Sequence, residues 1–578
     1  MTQNLRTSIK GSIWVHNPIP SKELLFLRQK FGLSLTVASV LYNRVEADDD
    51  IANFLDPKLK HTLPDPFSLL GMKEAIERIL KAISQDEKIV IYGDYDVDGA
   101  TSSALLKNYF REIGKKVDVY IPDRITEGYG PNKAAFTQLK KEGYTLCITV
   151  DCGTLAHTEI EVANTIGLDI IVVDHHISAD VIPPATAVIN PNRIDQPNVP
   201  YTEHLAAVGV SFLLLIGLNV ILRTKGFFDN KSEPNLINYL DLVALGTVCD
   251  VVRLTGINRA FVKQGLKVIN QRRNLGLQTL TQELKLFNTL DTYHLGYIIG
   301  PHINAGGRIS QSSLGSRLLS TQNPAEAEEI ATTLCVLNLK RKEIERTALQ
   351  EVITQVEKTN KKIILAASAN WHQGIIGIVA SRIKERYHLP TIILSIDGNI
   401  AKASARSIKG ANIGVAVIAA KESGLIIEGG GHKMAAGFSC AVEKIPAIRE
   451  FFEEYFKEVD TQESIRIDSE LYIDTITSDL CEDLKILAPH GSGNPEPKFV
   501  LKNVRIVTSR IIGEDGHIAC TLRDARTHTS IRGIAFRADP ILKEAILNCE
   551  VTNLLVKIKA DNLGYSGKPQ VIIEDAST

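Results

Sequence analysis

Five short apolar runs, at 88–92, 117–121, 145–150, 169–173 and 186–189, alternate with stretches of helical periodicity such as 132–141 and 155–166. This alternation constrains the fold more than any other feature of the chain. Strands that are apolar along their whole length need cover on both faces, and strands separated by helices run parallel. The expected fold class is therefore α/β, with a doubly wound, mostly parallel sheet entered through a helix at 72–83. In such a sheet, ligands gather beyond the carboxyl ends of the strands, so the residues just after each strand are the ones to inspect.

Those residues are acidic and histidine-rich. The first run ends in Gly93-Asp94-Tyr95-Asp96-Val97-Asp98-Gly99, the third in Asp151-Cys152-Gly153, the fourth in Asp174-His175-His176, and a helical run at 240–248 ends in Asp250. Read as extended chain, Asp94, Asp96 and Asp98 project from one side, because side chains alternate with a period of two. Clustered carboxylates repel unless a cation lies between them, and oxygen-rich ligands suit magnesium or manganese. Carboxylates and a histidine pair at one sheet edge make a ligand set for a two-metal centre. Adjacent histidines point opposite ways in extended backbone, so His175 is read as the metal ligand and His176 as the group facing substrate.

Composition removes several other classes. Of the 578 residues 44% are hydrophobic, enough for three or so globular domains rather than a disordered chain. The eight cysteines lack the C-x-x-C spacing of a zinc or redox site, and the amino terminus lacks a secretory pattern, so a cytoplasmic setting is expected. The apolar stretch 205–222 is read as a buried core helix rather than a membrane span, because it contains Gly209, Ser211, Gly217 and Asn219 and has no aromatic belt. A net charge of -2 means that any nucleic acid is held by local grooves rather than by overall charge.

The expected domain order is an accessory segment at 1–60, the catalytic α/β domain at 61–323, a connecting helix at 324–358, a smaller α/β lobe at 361–460 and a β-rich domain at 465–578. In the smaller lobe, Ser404, Arg406 and Gly429-Gly430-Gly431-His432 read as a phosphate clamp, since successive glycines allow backbone to approach a ligand and guanidinium grips phosphate in a planar fork. The last domain is read as a small barrel of the OB type, with strands at 465–467, 471–473, 499–508, 517–522, 530–536, 554–560 and 570–573. Lys498, Lys502, Arg505, Arg510, Arg523, Arg526, Arg532 and Arg537 make its middle basic, which suits a groove tracking single-stranded nucleic acid, with Phe499 or Phe536 available for stacking.

Taken together, 93–99, Val150-Asp151-Cys152-Gly153, Val173-Asp174-His175-His176 and Gly246-Thr247-Val248-Cys249-Asp250 resemble the four signature motifs of the DHH phosphoesterase superfamily, in particular its bacterial single-stranded-DNA exonucleases. Pro122-Asp123-Arg124 with Glu127-Gly128-Tyr129-Gly130, Asn258-Arg259 and Pro301-His302-Ile303-Asn304-Ala305-Gly306-Gly307-Arg308 resemble further segments of that branch, and the clamp lobe is similar to a DHHA1 domain. The resemblance implies a 5′-to-3′ exonuclease that hydrolyses phosphodiesters with two divalent cations, Mn2+ or Mg2+, and serves DNA repair and recombination. It implies that Asp98, His175 and Asp250 hold one ion, that Asp96 with Asp94 holds the other, and that Asp151 bridges them. It assigns His176, Arg406 and His432 to charge on the scissile phosphate. Substrate contacts then fall to Arg124, Arg308, Asn338, Arg341, Ser404, Gly430 and Gly431. A monomer working with a helicase and a single-stranded-DNA-binding protein, away from membranes, is expected. Four positions depart from the family pattern, two of them, His490 and Ser492 in place of Phe and Glu, touching no expected metal ligand. His302 stands where arginine is usual, and Tyr92 stands where smaller members carry a ligating histidine, leaving Asp94 or an extra water for that place.

Overall fold

The computed structural model describes residues 4–17, 19–45, 51–124, 126–356, 362–513, 516–549, 551–560 and 568–577. They form two compact units, one of residues 52–346 and 489–494, the other of residues 1–51, 347–488 and 495–578.

The first unit is built on a five-stranded parallel sheet: β1 (Ile89–Gly93), β2 (Val117–Tyr120), β3 (Leu146–Val150), β4 (Asp169–Val173) and β5 (Ala187–Ile189), in the order β2-β1-β3-β4-β5. Every residue of β1 and β3 is buried, as expected of central strands covered on both faces. Among its helices are α1 (Met72–Ser84), α2 (Val97–Glu112), α3 (Lys133–Lys141), α4 (His157–Thr165), α5 (Ala207–Thr224), α6 (Leu240–Cys249) and α7 (Gly300–Ile309). The apolar α5 is a core helix as expected, with Leu213, Leu215 and Leu218 fully buried. Its Asn219 amide is satisfied by the Tyr109 hydroxyl, Glu233 and the Pro234 carbonyl.

The acidic stretch corrects the extended reading. Strand β1 stops at Gly93, Asp96 caps α2, and Asp98 lies in that helix's first turn. The Asp96 carboxylate accepts from the amides of Asp98 (2.8 Å) and Gly99 (3.1 Å), which stops further extension. Glycine allows the tight passage, since a Cβ on Gly99 would lie 2.4 Å from the Asp94 carbonyl oxygen and one on Gly93 2.2 Å from Ser103 Oγ.

A single helix, α8 (Pro324–Val356), leads from the first unit into the second; the expected continuation to 358, and the expected start of the next lobe at 361, lie outside the described residues. That lobe is a five-stranded mixed sheet of β6 (Ile364–Ser368), β7 (Thr391–Asp397), β8 (Ile400–Arg406), β9 (Glu428–His432) and β10 (Ala435–Ala441), ordered β9-β10-β8-β7-β6, with α9 (Ile376–Tyr387) between β6 and β7. The glycine run lies in edge strand β9.

The β-rich end carries a seven-stranded sheet: β11 (Ser469–Leu471), β12 (Phe499–Leu501), β13 (Val504–Ile512), β14 (His517–Asp524), β15 (Ser530–Ala535), β16 (Asn553–Ala560) and β17 (Pro569–Ser577), ordered β11-β12-β16-β17-β15-β14-β13. The strand expected at 499–508 is two, broken at Asn503, whose φ of 56° is left-handed. The N-terminal segment combines the helices Ser21–Phe31 and Leu35–Tyr42 with two strands. Its strands Asn4–Thr7 and Ile13–His16 form a sheet with Ser464–Ile467, and the fully buried Trp14 packs with Ile467, Val500 and Leu555.

Candidate metal centre

The carboxyl ends of β1, β3 and β4 and the end of α6 bring the expected residues together in the first unit. Ligand atoms fall into two main groups, Asp98–His175–Asp250 and Asp94–Asp96–Asp151, each within 4.8 Å. His175 Nε2 links them, 3.3 Å from Asp151 Oδ1, 3.6 Å from Asp250 Oδ2 and 3.9 Å from Asp98 Oδ2. Asp151 has a left-handed φ of 61°, and Val251, directly after Asp250, one of 59°. Such strain in non-glycine residues concentrates at functional sites.

The donor set fits divalent cations. Asp94 Oδ1, His175 Nε2 and Asp250 Oδ2 are buried without a hydrogen-bond partner. His175 also bonds the Leu205 backbone, which with Nε2 unpaired assigns that bond to Nδ1 and turns the Nε2 lone pair toward the carboxylates. Burial, and next the charge of Asp96, pushes the Asp98 carboxyl up to about 7. Burial and neighbouring carboxylates raise Asp94, Asp151 and Asp250 well above the ordinary carboxylate range. Burial, then repulsion from His176, pushes the His175 imidazole down to about 4, so it is neutral and offers no counter-charge. Partial positive charge reaches Asp98 from the amino end of α5, where the Ala207 and Val208 amides donate to its oxygens at 2.6 and 3.0 Å.

His176 also comes within 4.8 Å of ligand atoms of Asp151 and His175, but both of its ring nitrogens have other neighbours. Its Nδ1 bonds Asp174 Oδ1 at 2.7 Å and its Nε2 lies 3.4 Å from the Tyr129 hydroxyl, which also donates to the Asp151 carbonyl at 3.3 Å. Burial opposes its charge, yet the hydrogen bond and charge of Asp174 raise His176 to about 9. Burial likewise disfavours the Asp174 carboxylate, but His176 outweighs that and holds its pKa below the usual range. Asp174 and Tyr129 are site residues that sequence reasoning left without roles. Asp174 stands inside the Asp-His-His triplet and Tyr129 between two glycines, but their contacts form only when β4 and the 126–130 turn meet.

Tyr92 takes no ligand place. Its ring lies against Tyr120 and Phe136, and its hydroxyl donates to the Gly130 carbonyl at 3.0 Å, so of these two residues it is Asp94 that stands in the cluster.

Beside the carboxylates lies a group of cations. The Arg124 guanidinium sits 4.7 Å from the centre of the Tyr95 ring. Burial, and then the charges of Arg124 and Arg341, pushes Arg308 down to about 10. Like charges kept this close mark a place for an anion. Arg341 bonds Asn338 (3.0 Å) and Glu345 (2.6 Å) on its own helix. His302 is buried, donates through Nδ1 to the Ile298 carbonyl at 2.7 Å, and is lowered by burial, so it is no substitute for a guanidinium.

In the second unit, Arg406 Nη1 donates to Ser404 Oγ at 3.1 Å, and Gly377 at the start of α9 lies against both side chains. A Cβ on Gly431 would strike Ala436, whereas one on Gly430 would enter open space. His432 is exposed on the same strand.

The terminal sheet changes part of the expected groove. Phe499 is fully buried and so is core, whereas Phe536 is exposed with its ring against His517. Lys498 pairs with Glu574 and Lys502 with Glu470 from other strands of the sheet, and Arg526 with Asp524 two residues before it. A cleft of about 660 Å³ lies over β13, β14 and β15, lined by Arg510, Arg532, Thr508, Thr521 and Ser530 among others.

Residues 88–247 match the DHH family, N-terminal domain, 360–458 the DHHA1 domain and 467–575 the RecJ OB domain. A DHH domain followed by DHHA1 defines a phosphoesterase-type scaffold, and the candidate metal-holding residues lie within the part that matches the DHH domain or just after it. The chain is 34% identical over 566 residues to the single-stranded-DNA-specific exonuclease RecJ of Bacillus subtilis, covering 95% of this chain and 69% of that one. It is 36% identical over 509 residues to the Escherichia coli protein of that name, covering 85% and 87%. The crystal structure of RecJ from Thermus thermophilus in complex with Mn2+ superposes with a TM-score of 0.81 at 28% identity, covering 98% of this chain and 79% of that one. The chain belongs to the RecJ family.

Proposed function

We propose that the chain degrades single-stranded DNA from its 5′ end to 5′-mononucleotides, with two divalent cations, Mn2+ or Mg2+, in DNA repair and recombination. The observation that carries this is the convergence of unpaired, buried Asp94 Oδ1, His175 Nε2 and Asp250 Oδ2 at the edge of a parallel sheet in a RecJ-family chain.

Asp98, His175 and Asp250 are assigned to one cation, Asp94 and Asp96 to the other, and Asp151, within reach of both groups, to both. When bound, such cations lower the pKa of water and offset charge on the transferred phosphoryl group. The chain's own residues do the rest. His175 is fixed in one tautomer by the Leu205 backbone, so its lone pair meets the site without rearrangement. His176, kept protonated at neutral pH by Asp174, donates toward a non-bridging phosphate oxygen as charge builds there. Arg124 and Arg308 receive the terminal phosphate, relieving the repulsion between them, and Asn338 and Arg341 line the path of the strand. Ser404, Arg406, Gly430, Gly431 and His432 bind phosphate in the DHHA1 lobe, with the open face of Gly430 and the amino end of α9 supporting that assignment. The chain works as a cytoplasmic monomer alongside a helicase and a single-stranded-DNA-binding protein.

The test is digestion of an oligonucleotide labelled separately at each end, in Mn2+, with Asp96→Ala and Asp151→Ala in parallel. Early release of a labelled mononucleotide from the 5′ end alone, lost in both variants, is expected. Intact long strands, with cleavage only of dinucleotides, would replace this reading with a short-substrate phosphodiesterase.

A further inference from the structure

The first unit carries an exposed aromatic pair that the assignments above leave unused. Tyr293 and Tyr297 stack with ring centroids 5.2 Å apart and planes at 28°, yet remain 55% and 75% exposed. Two large apolar rings left in water, while Leu295 and Ile299 of the same segment are fully buried, are costly unless a ligand covers them.

The backbone beneath the pair is a single π-helical turn, His294–Ile299, running directly into α7. Such turns are rare and collect at functional sites. This one is locked to the end of α6: Cys249 Sγ donates to the Leu295 carbonyl at 3.5 Å, and a Cβ on Gly300 would lie 2.5 Å from that sulfur. Cys249 precedes the metal-centre residue Asp250, so the tyrosines stand on a platform held rigidly to the metal centre.

The pair also adjoins a partly exposed helix face. Tyr293 and Tyr297 stand at the π-helical turn, and Pro301, Asn304 and Arg308, spaced by three and four residues, lie along one face of the α7 helix it runs into. That face ends at Arg308, which senses the charges of Arg124, Arg341 and Asp96. Fifteen residues of helix put Tyr293 about 20 Å from Arg308. This equals about six nucleotides at the 3.4 Å spacing of a stacked strand, and fewer in an extended one.

We propose that Tyr293 and Tyr297 form a base-stacking platform that holds the single strand several nucleotides in from the end being cleaved. This deepens, and rests on, the reading of the chain as a single-strand exonuclease. Rings of this kind stack on any base, so the platform adds strand affinity and register without sequence preference. The pair are positioning residues, since nothing in their placement touches the reacting atoms.

The experiment compares the wild-type chain with Tyr293→Ala/Tyr297→Ala and Tyr293→Phe/Tyr297→Phe. On a 20-nucleotide strand in Mn2+, the alanine variant should raise KM by roughly 5- to 150-fold with kcat near wild type, as expected for lost stacking. The phenylalanine variant should restore KM, and a dinucleotide too short to reach the platform should be cut equally by all three. With 2-aminopurine moved through the first eight nucleotides, binding in EDTA should quench it most at one internal position, and the alanine variant should lose that quenching. A wild-type chain that leaves single strands intact would remove the exonuclease reading itself. A wild-type chain that digests them, with KM and quenching unchanged in the alanine variant, would overturn the platform alone.

Discussion

Replacing Asp151 by Asn should make the metal-free protein more stable while abolishing activity. Its ligand atom lies within 4.8 Å of those of Asp94 and Asp96. At an effective dielectric constant of about 20, each ionised pair at that distance costs ~3.5 kcal/mol. Proton uptake limits the cost, because holding one carboxyl protonated at pH 8 takes at most ~6 kcal/mol from an ordinary pKa near 4. Allowing for relaxation, Asn should gain ~2–4 kcal/mol in EDTA at pH 8, raising the unfolding midpoint of the catalytic unit by roughly 5–10 °C. Asn is the right replacement, since Asp151 has a φ of 61° that Asn adopts more readily than Ala. The sign of the pH dependence is set by the raised pKa of Asp151. The folded state retains a proton that the unfolded chain has released, so this contribution is full below an unfolded pKa of about 4 and is lost as pH rises through the raised folded value. The advantage of Asn should therefore shrink toward pH 5. Saturating Mn2+ at about 100 times Kd should stabilise the wild type by ~2.7 kcal/mol and the variant far less. Differential scanning calorimetry in EDTA and in Mn2+, at pH 5 and 8, measures all of this. A variant that unfolds at or below the wild-type temperature in EDTA at pH 8, with an undiminished Mn2+ shift, would refute the reasoning.

Other outcomes follow from the same structure. Asp174→Asn should lower kcat about 10- to 100-fold while Mn2+ still stabilises the protein, because it removes a residue that orients His176 rather than a ligand. NMR titration of the metal-free variant should find the His176 ring below the value near 9 expected of the wild type. Tyr92→Phe should cost about 1 kcal/mol of stability through the lost bond to Gly130, with Mn2+ dependence of activity unchanged; a weakened Mn2+ response would make Tyr92 part of the site. Asp241 is buried in α6, raised by burial to about 7, so Asp241→Asn should stabilise the protein by about 1–3 kcal/mol at pH 8 and by little at pH 5, measured by urea unfolding.

Much of the site was legible because strand ends in a parallel sheet are chemically marked. Asp151, His175 and Asp250 each follow an apolar run whose period announces its element, and topology then carries all three to one edge. The geometry of Asp96 and Asp98 was not legible from spacing. A period of two belongs to extended chain, and the Asp96 cap converts the same residues into the first turn of α2. The pairing of some cations in the basic stretch of the terminal domain was hidden for a related reason: a run of lysines and arginines does not contain the acids that other strands set against them. Lys498 meets Glu574 across a separation of 76 residues that only sheet β11–β17 closes.

Hydrophobic periodicity along the chain determined the α/β class, the order of strand and helix, and the residue types available at each strand end, since burial depends on short-range pattern. The tertiary structure alone decided which lone pairs stay unsatisfied. Leu205 claims one nitrogen of His175, Asp174 claims one of His176, and the start of α5 claims Asp98, leaving Asp94, His175 and Asp250 with buried acceptors that no hydrogen bond satisfies. A site of that kind comes from which hydrogen bonds are closed off by distant backbone, and no local stretch of sequence carries that information.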